Sequence, residues 1–273
     1  MTSPTTRTVL VTGASSGIGR ATAMQAAAAR DHVALLARRK EVLEEVAEEC
    51  RAAGASSTTI LVADVAEDSQ VADAVAEVVR TTGRLDAVLH CAGVVSYGRT
   101  EETSPEDFES VVATNLLGAA NVARHVVPVL REQQRGTLVL VGSLLGHINV
   151  PEMTPYVVSK WGVRALARQL HIENLDVPGV RIVHVAPGSV DTPIYGSALD
   201  AAGGVNTPPP PSISPERAAR VVLRHAHRRF TPSRSVQTAW SNYAMMLAFN
   251  LAPAVWDRTV GSAFELVSRR RQG

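Results

Sequence analysis

The sequence has few of the features that mark secreted, metal-binding or nucleic-acid-binding proteins. Its 273 residues include two cysteines, Cys50 and Cys91, which do not have the spacing of metal ligands and are few enough to suggest a reducing compartment. The formal net charge is +1, so no global field attracts nucleic acid or acidic partners. We therefore expect neither a metal site nor a nucleic-acid partner.

Long apolar segments are also scarce. Residues 1–6 are polar and contain no signal-peptide core. The longest apolar stretch, residues 243–256, is interrupted by Asn250 and Pro253 and is too short to span a bilayer as a helix. These observations predict a cytoplasmic protein without a membrane span.

Apolar strand patterns alternate with helix patterns along most of the chain. Because the strands are continuous apolar runs, both of their faces should be covered by helices. We predict an α/β fold: a doubly wound parallel sheet of about seven strands, in a single domain spanning residues 1–273. The predicted strands are 8–11, 33–36, 59–62, 87–90, 137–141 and 181–186, and the predicted helices are 17–30, 41–53, 69–80, 105–134 and 155–175.

A glycine-rich turn connects the first strand to the first helix. Gly13, Gly17 and Gly19 let the backbone turn tightly and approach a bound pyrophosphate. The helix that follows offers free N–H groups and the positive end of its dipole to phosphate. This context predicts a dinucleotide site; an ordinary strand–helix turn is the alternative.

The end of the second strand indicates which dinucleotide binds. NAD sites place a carboxylate there to bind the ribose 2′-hydroxyl. This sequence instead continues from Ala37 into Arg38, Arg39 and Lys40. Because arginine binds phosphate through a bidentate fork, we predict NADP(H) as the cofactor. The alternative is that these basic side chains bind no phosphate and are simply solvated at the start of a helix.

Past the middle of the chain lie three residues that can take part in proton transfer. Tyr156 and Lys160 are four residues apart on a predicted helix, so they share one face. A lysine cation about 4 Å from the phenol contributes roughly 4 kcal/mol at an effective dielectric near 20. That energy would lower the tyrosine pKa by about three units, to near neutrality. Ser143 follows the fifth predicted strand and can polarise a substrate carbonyl.

With these motifs the chain resembles the short-chain dehydrogenase/reductase family over roughly residues 8–192, and the resemblance implies a Rossmann-like fold. The catalytic set implied is Ser143, Tyr156, Lys160 and Asn115. The cofactor-binding residues implied are Gly13, Ser15, Ser16, Gly17, Ile18, Gly19, Arg38, Arg39, Asp64, Val65, Ala92, Gly93, Tyr156, Lys160, Pro187, Gly188, Val190 and Thr192.

The resemblance also implies roles for these residues. Tyr156 would be the acid/base, Ser143 would position the substrate oxygen, and Lys160 would bind the nicotinamide ribose. Asn115 would hold a water that links Lys160 to solvent. Members of the family usually associate through their long helices, which implies a homodimer or homotetramer here.

One segment departs from the family pattern. The usual Asn-Asn-Ala-Gly after the fourth strand is His90-Cys91-Ala92-Gly93 here. We interpret His90 as a structural histidine and Cys91 as a small apolar residue, so the replacement should affect local rigidity rather than the reaction.

The substrate side has the least regular pattern. The loop at about 188–214 contains Tyr195, Leu199 and Val205 with few charges, which indicates a mostly apolar ketone or alcohol. The predicted activity is the interconversion of a secondary alcohol and a ketone. Two alternatives remain: a 3-oxoacyl-thioester reductase, and a catalytically silent NADP-binding regulatory protein.

The C-terminal segment at about 230–273 is predicted to be a lid or a subunit interface. It contains an apolar stripe at helical spacing, which consists of Trp240, Tyr243, Ala244, Leu247, Ala248 and Leu251. A peripheral contact with a membrane surface, helped by Arg228, Arg229 and residues 269–271, is the alternative.

Overall fold

The computed structural model describes residues 6–200, 207–227 and 235–269, without the side chains of Asp200 and residues 263–269. The strands are β1 Thr8–Thr12, β2 His32–Ala37, β3 Ser57–Val62, β4 Ala87–His90, β5 Ser96–Tyr97, β6 Gly136–Val141, β7 Val180–Ala186, β8 Ser189–Val190, β9 Leu199–Asp200, β10 Ser212–Ile213 and β11 Val236–Gln237. The helices are α1 Gly17–Ala28, α2 Lys40–Ala52, α3 Asp68–Thr82, α4 Pro105–Val112, α5 Gly118–Glu132, α6 Thr154–Glu173, α7 Pro215–His227, α8 Trp240–Leu251 and α9 Pro253–Arg269.

Seven strands form one parallel sheet in the order β11-β7-β6-β4-β1-β2-β3. The predicted doubly wound class is thereby confirmed. The strand order reverses between β1 and β4, and in open α/β sheets ligands bind in the crevice beyond the carboxyl ends at such a point. The glycine turn after β1 and residues 91–94 after β4 both lie there.

Helices bury both faces of the sheet. Successive residues of β1 point to opposite sides, so that Leu10 belongs to the core under α3, α5 and α6, whereas Val9 and Val11 belong to the core under α1, α2 and α7. All three side chains are at most 1% exposed. Double burial is the physical reason why these strands appear in the sequence as continuous apolar runs.

The structure differs from the predicted elements in three places. A π-helical turn, Ala113–Leu117, separates α4 from α5 within the single helix predicted for 105–134. The seventh strand, β11, has only two residues and was not among the strands assigned from sequence. The substrate loop contains a short parallel pair, β8 with β10, and its strand β9 pairs with β5 after β4. Residues 201–206 of the loop lie outside the described residues.

The C-terminal segment is helical where it is described. α8 and α9 follow β11 directly and pack on each other. Arg228, Arg229 and residues 270–273 lie outside the described residues, so the basic groups invoked for membrane contact are largely undescribed. Within the described part of the chain, no helix combines the length and apolarity that crossing a membrane requires.

Candidate active site

The turn after β1 is shaped so that only glycine fits at its key positions. Gly13 has φ +65°, and a Cβ there would lie 2.8 Å from the backbone of Ala92. A Cβ on Gly19 would lie 2.2 Å from the carbonyl oxygen of Gly13. The backbone therefore packs closely against itself and leaves an open groove above the start of α1.

The N-terminus of α1 faces this groove with unpaired donors. Its N-cap residue, Ser16, makes no side-chain capping hydrogen bond, and the first turn has no acidic residue. Such an end suits a phosphate group. The groove is lined by Gly13, Ser15, Ser16, Gly17, Ile18, Gly19, Leu36, Ala37, Arg38, Arg39, Ala63, Asp64, Val65, Cys91, Ala92, Gly93, Val94, Thr114, Thr192, Pro193, Ile194 and Ser197. The residues present thus fit a dinucleotide.

Two arginines stand at the far side of the groove, after β2. Arg39 Nη2 donates a hydrogen bond to Ser15 Oγ at 3.3 Å, which links the start of α2 to the glycine turn. Arg38 Nη1 lies 3.4 Å from Asp64 Oδ2, and its side chain is 66% exposed. This ion pair is too exposed to hold Arg38 firmly, so the guanidinium remains available to a phosphate.

Three of the four predicted catalytic side chains meet at the end of β6. Ser143 follows β6 with one residue, Gly142, between them. Its Oγ accepts a hydrogen bond from the backbone N–H of Leu145 at 3.1 Å. Tyr156 and Lys160 lie in the first two turns of α6. The Lys160 ammonium lies 5.6 Å from the centre of the Tyr156 ring and donates to the carbonyl of Val141 at 3.3 Å.

The pKa values correct one expectation from the sequence. Burial raises the pKa of Tyr156 to about 12, and a hydrogen bond with Ser143 opposes that rise. Burial lowers the pKa of Lys160 to about 8. The predicted Tyr156 pKa near neutrality is therefore wrong for the chain by itself, because desolvation of the phenolate outweighs the hydrogen bond that lowers its pKa.

Asn115 lies at the π-helical turn and is 1% exposed. Its Oδ1 accepts from the N–H of Val94 at 2.8 Å, and its Nδ2 donates to the carbonyl of Val94 at 2.9 Å. The same Nδ2 donates to Ser159 Oγ at 3.0 Å. Asn115 thus fixes the segment after β4 against α6, next to Lys160.

The segment after β7 closes the site from the other side. The carbonyl of Pro187 accepts a hydrogen bond from the N–H of Leu144 at 2.6 Å, which joins this segment to the Ser143 loop. Val190 is buried in the β8–β10 pair. Thr192 crosses to the glycine turn, where a Cβ on Gly17 would lie 3.1 Å from its methyl carbon. Pro187 and Val190 therefore support the segment, whereas Gly188 and Thr192 face the cavities.

His90 occupies a buried position in the sheet. Its Nδ1 forms a 2.9 Å hydrogen bond with Thr12 Oγ1, the same hydroxyl that accepts from the N–H of Ala92 at 3.3 Å. Burial, together with the charge of Lys160, lowers the pKa of His90 to about 3. A neutral imidazole bonded between two strand ends has the geometry expected of a structural residue. Burial also raises the pKa of Cys91 to about 12, so its thiol stays protonated.

A second cavity of about 320 Å³ opens beside Ser143 and Tyr156. None of the described residues that line it is charged, and most are apolar. They are Val95, Tyr97, Ser143, Leu144, Leu145, Ile148, Val150, Met153, Tyr156, Gly188, Ser189, Ile194, Tyr195, Pro209, Pro210, Pro211, Ser241, Asn242, Met245, Trp256 and Val260. The predicted substrate loop and the predicted C-terminal segment both contribute to this wall. The lining residues between Val95 and Met153, apart from Ser143, were not predicted, because they lie far from those two segments in the sequence.

The apolar stripe of α8 points away from the cavity, with Trp240 87%, Leu247 60% and Leu251 75% exposed. The stripe does not itself line the cavity, and its assignment to a subunit interface stays a prediction. Ser241, Asn242 and Met245 face the cavity instead. α9 completes this wall, since Trp256 Nε1 donates to the carbonyl of Asn149 at 3.0 Å. α8 therefore covers the pocket with its more polar face, and the side-chain amide of Asn242 on that face donates to the buried carbonyl of Ala186.

Comparison with known proteins agrees with this geometry. The family model described as short chain dehydrogenase matches residues 7–202. An uncharacterized oxidoreductase of Thermotoga maritima is 36% identical over 68% of this chain and 72% of its own length. The NADPH-dependent pterin aldehyde reductase of Arabidopsis thaliana is 32% identical, over 71% of this chain and 78% of its own. A 3-oxoacyl-[acyl-carrier-protein] reductase of Staphylococcus aureus is 34% identical, over 68% and 75%.

Solved structures have the same architecture. An alcohol dehydrogenase from Thermococcus sibiricus, complexed with 5-hydroxy-NADP, superposes with a TM-score of 0.74 at 28% identity, covering 85% of this chain and 95% of that one. A short-chain dehydrogenase from Streptomyces avermitilis has a TM-score of 0.79 at 25% identity and covers 98% of both chains.

Proposed function

This chain belongs to the short-chain dehydrogenase family, and on that premise we propose that it interconverts a secondary alcohol and a ketone on a mostly apolar small molecule with NADP(H). The family and its relatives make it an oxidoreductase of CH–OH and carbonyl groups. The cofactor preference and the substrate class are the proposal. One of its relatives is named as NADPH-dependent, which supports that preference.

One observation carries the proposal. The glycine-lined groove and the apolar cavity meet at Ile194, which lines both, and Ser143 and Tyr156 lie on the cavity side of that junction. A dinucleotide in the groove would place its nicotinamide toward the serine and tyrosine hydroxyls. The cofactor supplies the hydride; the chain supplies binding, orientation and the proton.

The protonation states suit carbonyl reduction. With a pKa near 12, Tyr156 holds its proton at neutral pH and can donate it to the carbonyl oxygen, which the Ser143 hydroxyl holds in place. The Lys160 ammonium, with a pKa near 8, can then stabilise the phenolate and return a proton to it. We propose that Asn115 holds the backbone beside Lys160 where a water could connect the ammonium to solvent.

The cofactor preference can be tested at Arg38 and Arg39. We expect kcat/KM for NADPH to exceed that for NADH by at least about tenfold, because charge-assisted hydrogen bonds to the 2′-phosphate contribute roughly 1.5–3 kcal/mol each. Changing Arg38 or Arg39 to Ser should lower kcat/KM for NADPH by about 10- to 100-fold and leave NADH nearly unchanged. Arg51→Ser is the control, since Arg51 lies on α2 and pairs with Glu48. Equal or faster turnover with NADH at low concentration would contradict the assignment.

The uncharged cavity supports a neutral apolar substrate. A 3-oxoacyl thioester is the second candidate, favoured by the similarity to a 3-oxoacyl-[acyl-carrier-protein] reductase. Steady-state assays with a series of alkyl phenyl ketones and with acetoacetyl-CoA would separate the two. We expect the ketones to give the higher kcat/KM; a clear preference for the thioester would favour the second candidate.

We also propose that the chain forms a homodimer or homotetramer. Leu117, Val158 and Trp161 are 52%, 47% and 38% exposed around the start of α5 and on α6, and exposed apolar side chains of this size mark association surfaces. Light scattering after size-exclusion chromatography should give a mass of at least twice 29.0 kDa, and Trp161→Glu should lower it. A wild-type mass equal to one chain would refute this.

Sedimentation with anionic vesicles tests the alternative of a membrane contact at the outward face of α8.

A further inference from the structure

One buried side chain connects the C-terminal helices to both halves of the active site. Asn242, on the first turns of α8, is 1% exposed. Its Nδ2 donates to the carbonyl oxygen of Ala186 at 3.2 Å and to Gln237 Oε1 at 3.0 Å. Its Oδ1 lies so near Gly188 that a Cβ on that glycine would come within 2.6 Å of it. Asn242 thus touches the strand end that leads into Pro187 and Gly188.

The contacts continue to the serine loop. Gln237 pairs with Ala186 in the β11–β7 register, and its Nε2 lies 3.4 Å from His147 Nε2. Burial lowers the pKa of His147 to about 4, so the imidazole is neutral and its Nε2 accepts from the amide. His147 ends the turn that begins at Ser143, and its N–H donates to the carbonyl of Leu144 at 2.8 Å.

These contacts form a closed circuit, because the N–H of Leu144 donates to the carbonyl of Pro187. Four elements meet in it: α8, β11, the end of β7 and the loop after β6. Regular strand pairing contributes little at this corner of the sheet, since β11 has only two residues. The side-chain amides of Asn242 and Gln237 therefore supply hydrogen bonds that the sheet does not.

We propose that Asn242 is a positioning residue for hydride transfer. Through Ala186 and Gly188 it sets the segment that faces the nicotinamide, and through Gln237 and His147 it sets the loop that carries Ser143. Packing of α8 over the substrate cavity is thereby coupled to alignment of the reacting groups. A substrate that contacts Asn242 in the cavity wall can in this way influence the position of Ser143, which holds the substrate oxygen.

The test compares Asn242→Leu, which keeps a branched side chain of the same length and removes the amide, with Asn250→Leu. Asn250 is an exposed residue of the same helix whose amide donates to the local Met246 carbonyl, so its replacement should leave activity unchanged. Three measurements are made on each folded variant: affinity for 2′,5′-ADP, which occupies only the adenosine half of the groove; kcat and KM with NADPH and the best alkyl phenyl ketone; and backbone hydrogen exchange without ligands.

We expect Asn242→Leu to lower kcat at least tenfold and to raise the primary isotope effect with deuterated NADPH, while the Kd for 2′,5′-ADP stays within twofold. Exchange at residues 144–147 and 186–190 should accelerate together. Gln237→Leu should act in the same direction, and the double variant should lose less than the product of the two single effects. The exchange result does not depend on the proposed reaction, so a wild-type enzyme that fails to turn over ketones would refute the proposed function alone.

A purely structural role predicts a different result. Asn242→Leu would then lower the melting temperature, with kcat per folded molecule, the isotope effect and local exchange all equal to those of Asn250→Leu. That outcome would overturn the proposal, as would faster exchange confined to α8 itself.

Discussion

Replacement of Tyr156 by Phe is expected to lower kcat by about 10³- to 10⁴-fold, close to the upper limit for loss of a general acid. The ring and its packing remain, and only the hydroxyl that hydrogen-bonds with Ser143 is removed. NADPH binding should therefore stay within about twofold, which a fluorescence titration can measure beside single-turnover rates. Because burial keeps the phenol protonated, the loss should appear fully in the reduction direction at neutral pH.

Tyr243→Phe provides the matched control. It makes the same chemical change on α8, where the side chain is 43% exposed and points away from the cavity, and it should leave kcat unchanged. A Tyr156→Phe enzyme that retained more than a tenth of wild-type kcat would show that another group donates the proton. If wild type bound NADPH yet turned over nothing across a broad panel of ketones and alcohols, this chain would be a silent NADP-binding protein.

Stability should fall steeply in mild acid because several histidines are held neutral by burial. Burial lowers the pKa of His90 and His184 to about 3 and of His147 and His227 to about 4, and it also lowers the pKa of His32. In the unfolded chain these groups titrate near 6.5, so the unfolded state binds more protons between pH 6.5 and about 4. Their contribution is therefore fully present above pH 6.5 and is lost as the pH falls through this window.

Going from pH 6.5 to pH 5.5, each of the four groups with a pKa of about 4 or below should cost about 1 kcal/mol, so the free energy of unfolding should drop by roughly 4 kcal/mol. Urea unfolding at a series of pH values measures this directly. His184→Gln should reduce the slope by about a quarter, whereas His171→Gln, on the half-exposed surface of α6, should not. A free energy of unfolding that stays flat over this range would mean that the imidazoles are hydrated or charged in the folded protein.

Features that depend on neighbours within a few residues could be predicted from sequence. The turn Gly13–Gly19 must combine a positive φ with close backbone contacts, and only glycine meets both requirements. Tyr156 and Lys160 share a helix face because helical periodicity places residues i and i+4 together. The order of strands and helices followed from apolar runs long enough to show their periodicity, and the sheet confirmed it.

Features set by distant segments could not be predicted in this way. β11 is a strand only because β7 presents an open edge to its two residues. The cavity is walled by segments that lie between residues 95 and 260 of the sequence, and Asn242 of α8 reaches inward to the carbonyl of Ala186 at the end of β7. The pKa of Tyr156 rises rather than falls because desolvation by the surrounding fold exceeds the opposing effect of the hydrogen bond with Ser143.

The sequence by itself therefore determined the family, the doubly wound sheet and the two motifs of the candidate site, because each depends on short-range spacing. Only the tertiary structure decided the resting protonation of Tyr156, the uncharged wall of the substrate cavity and the amide circuit through Asn242. These three depend on burial and on contacts between residues far apart in the chain. Such contacts form only when the helices and strands pack.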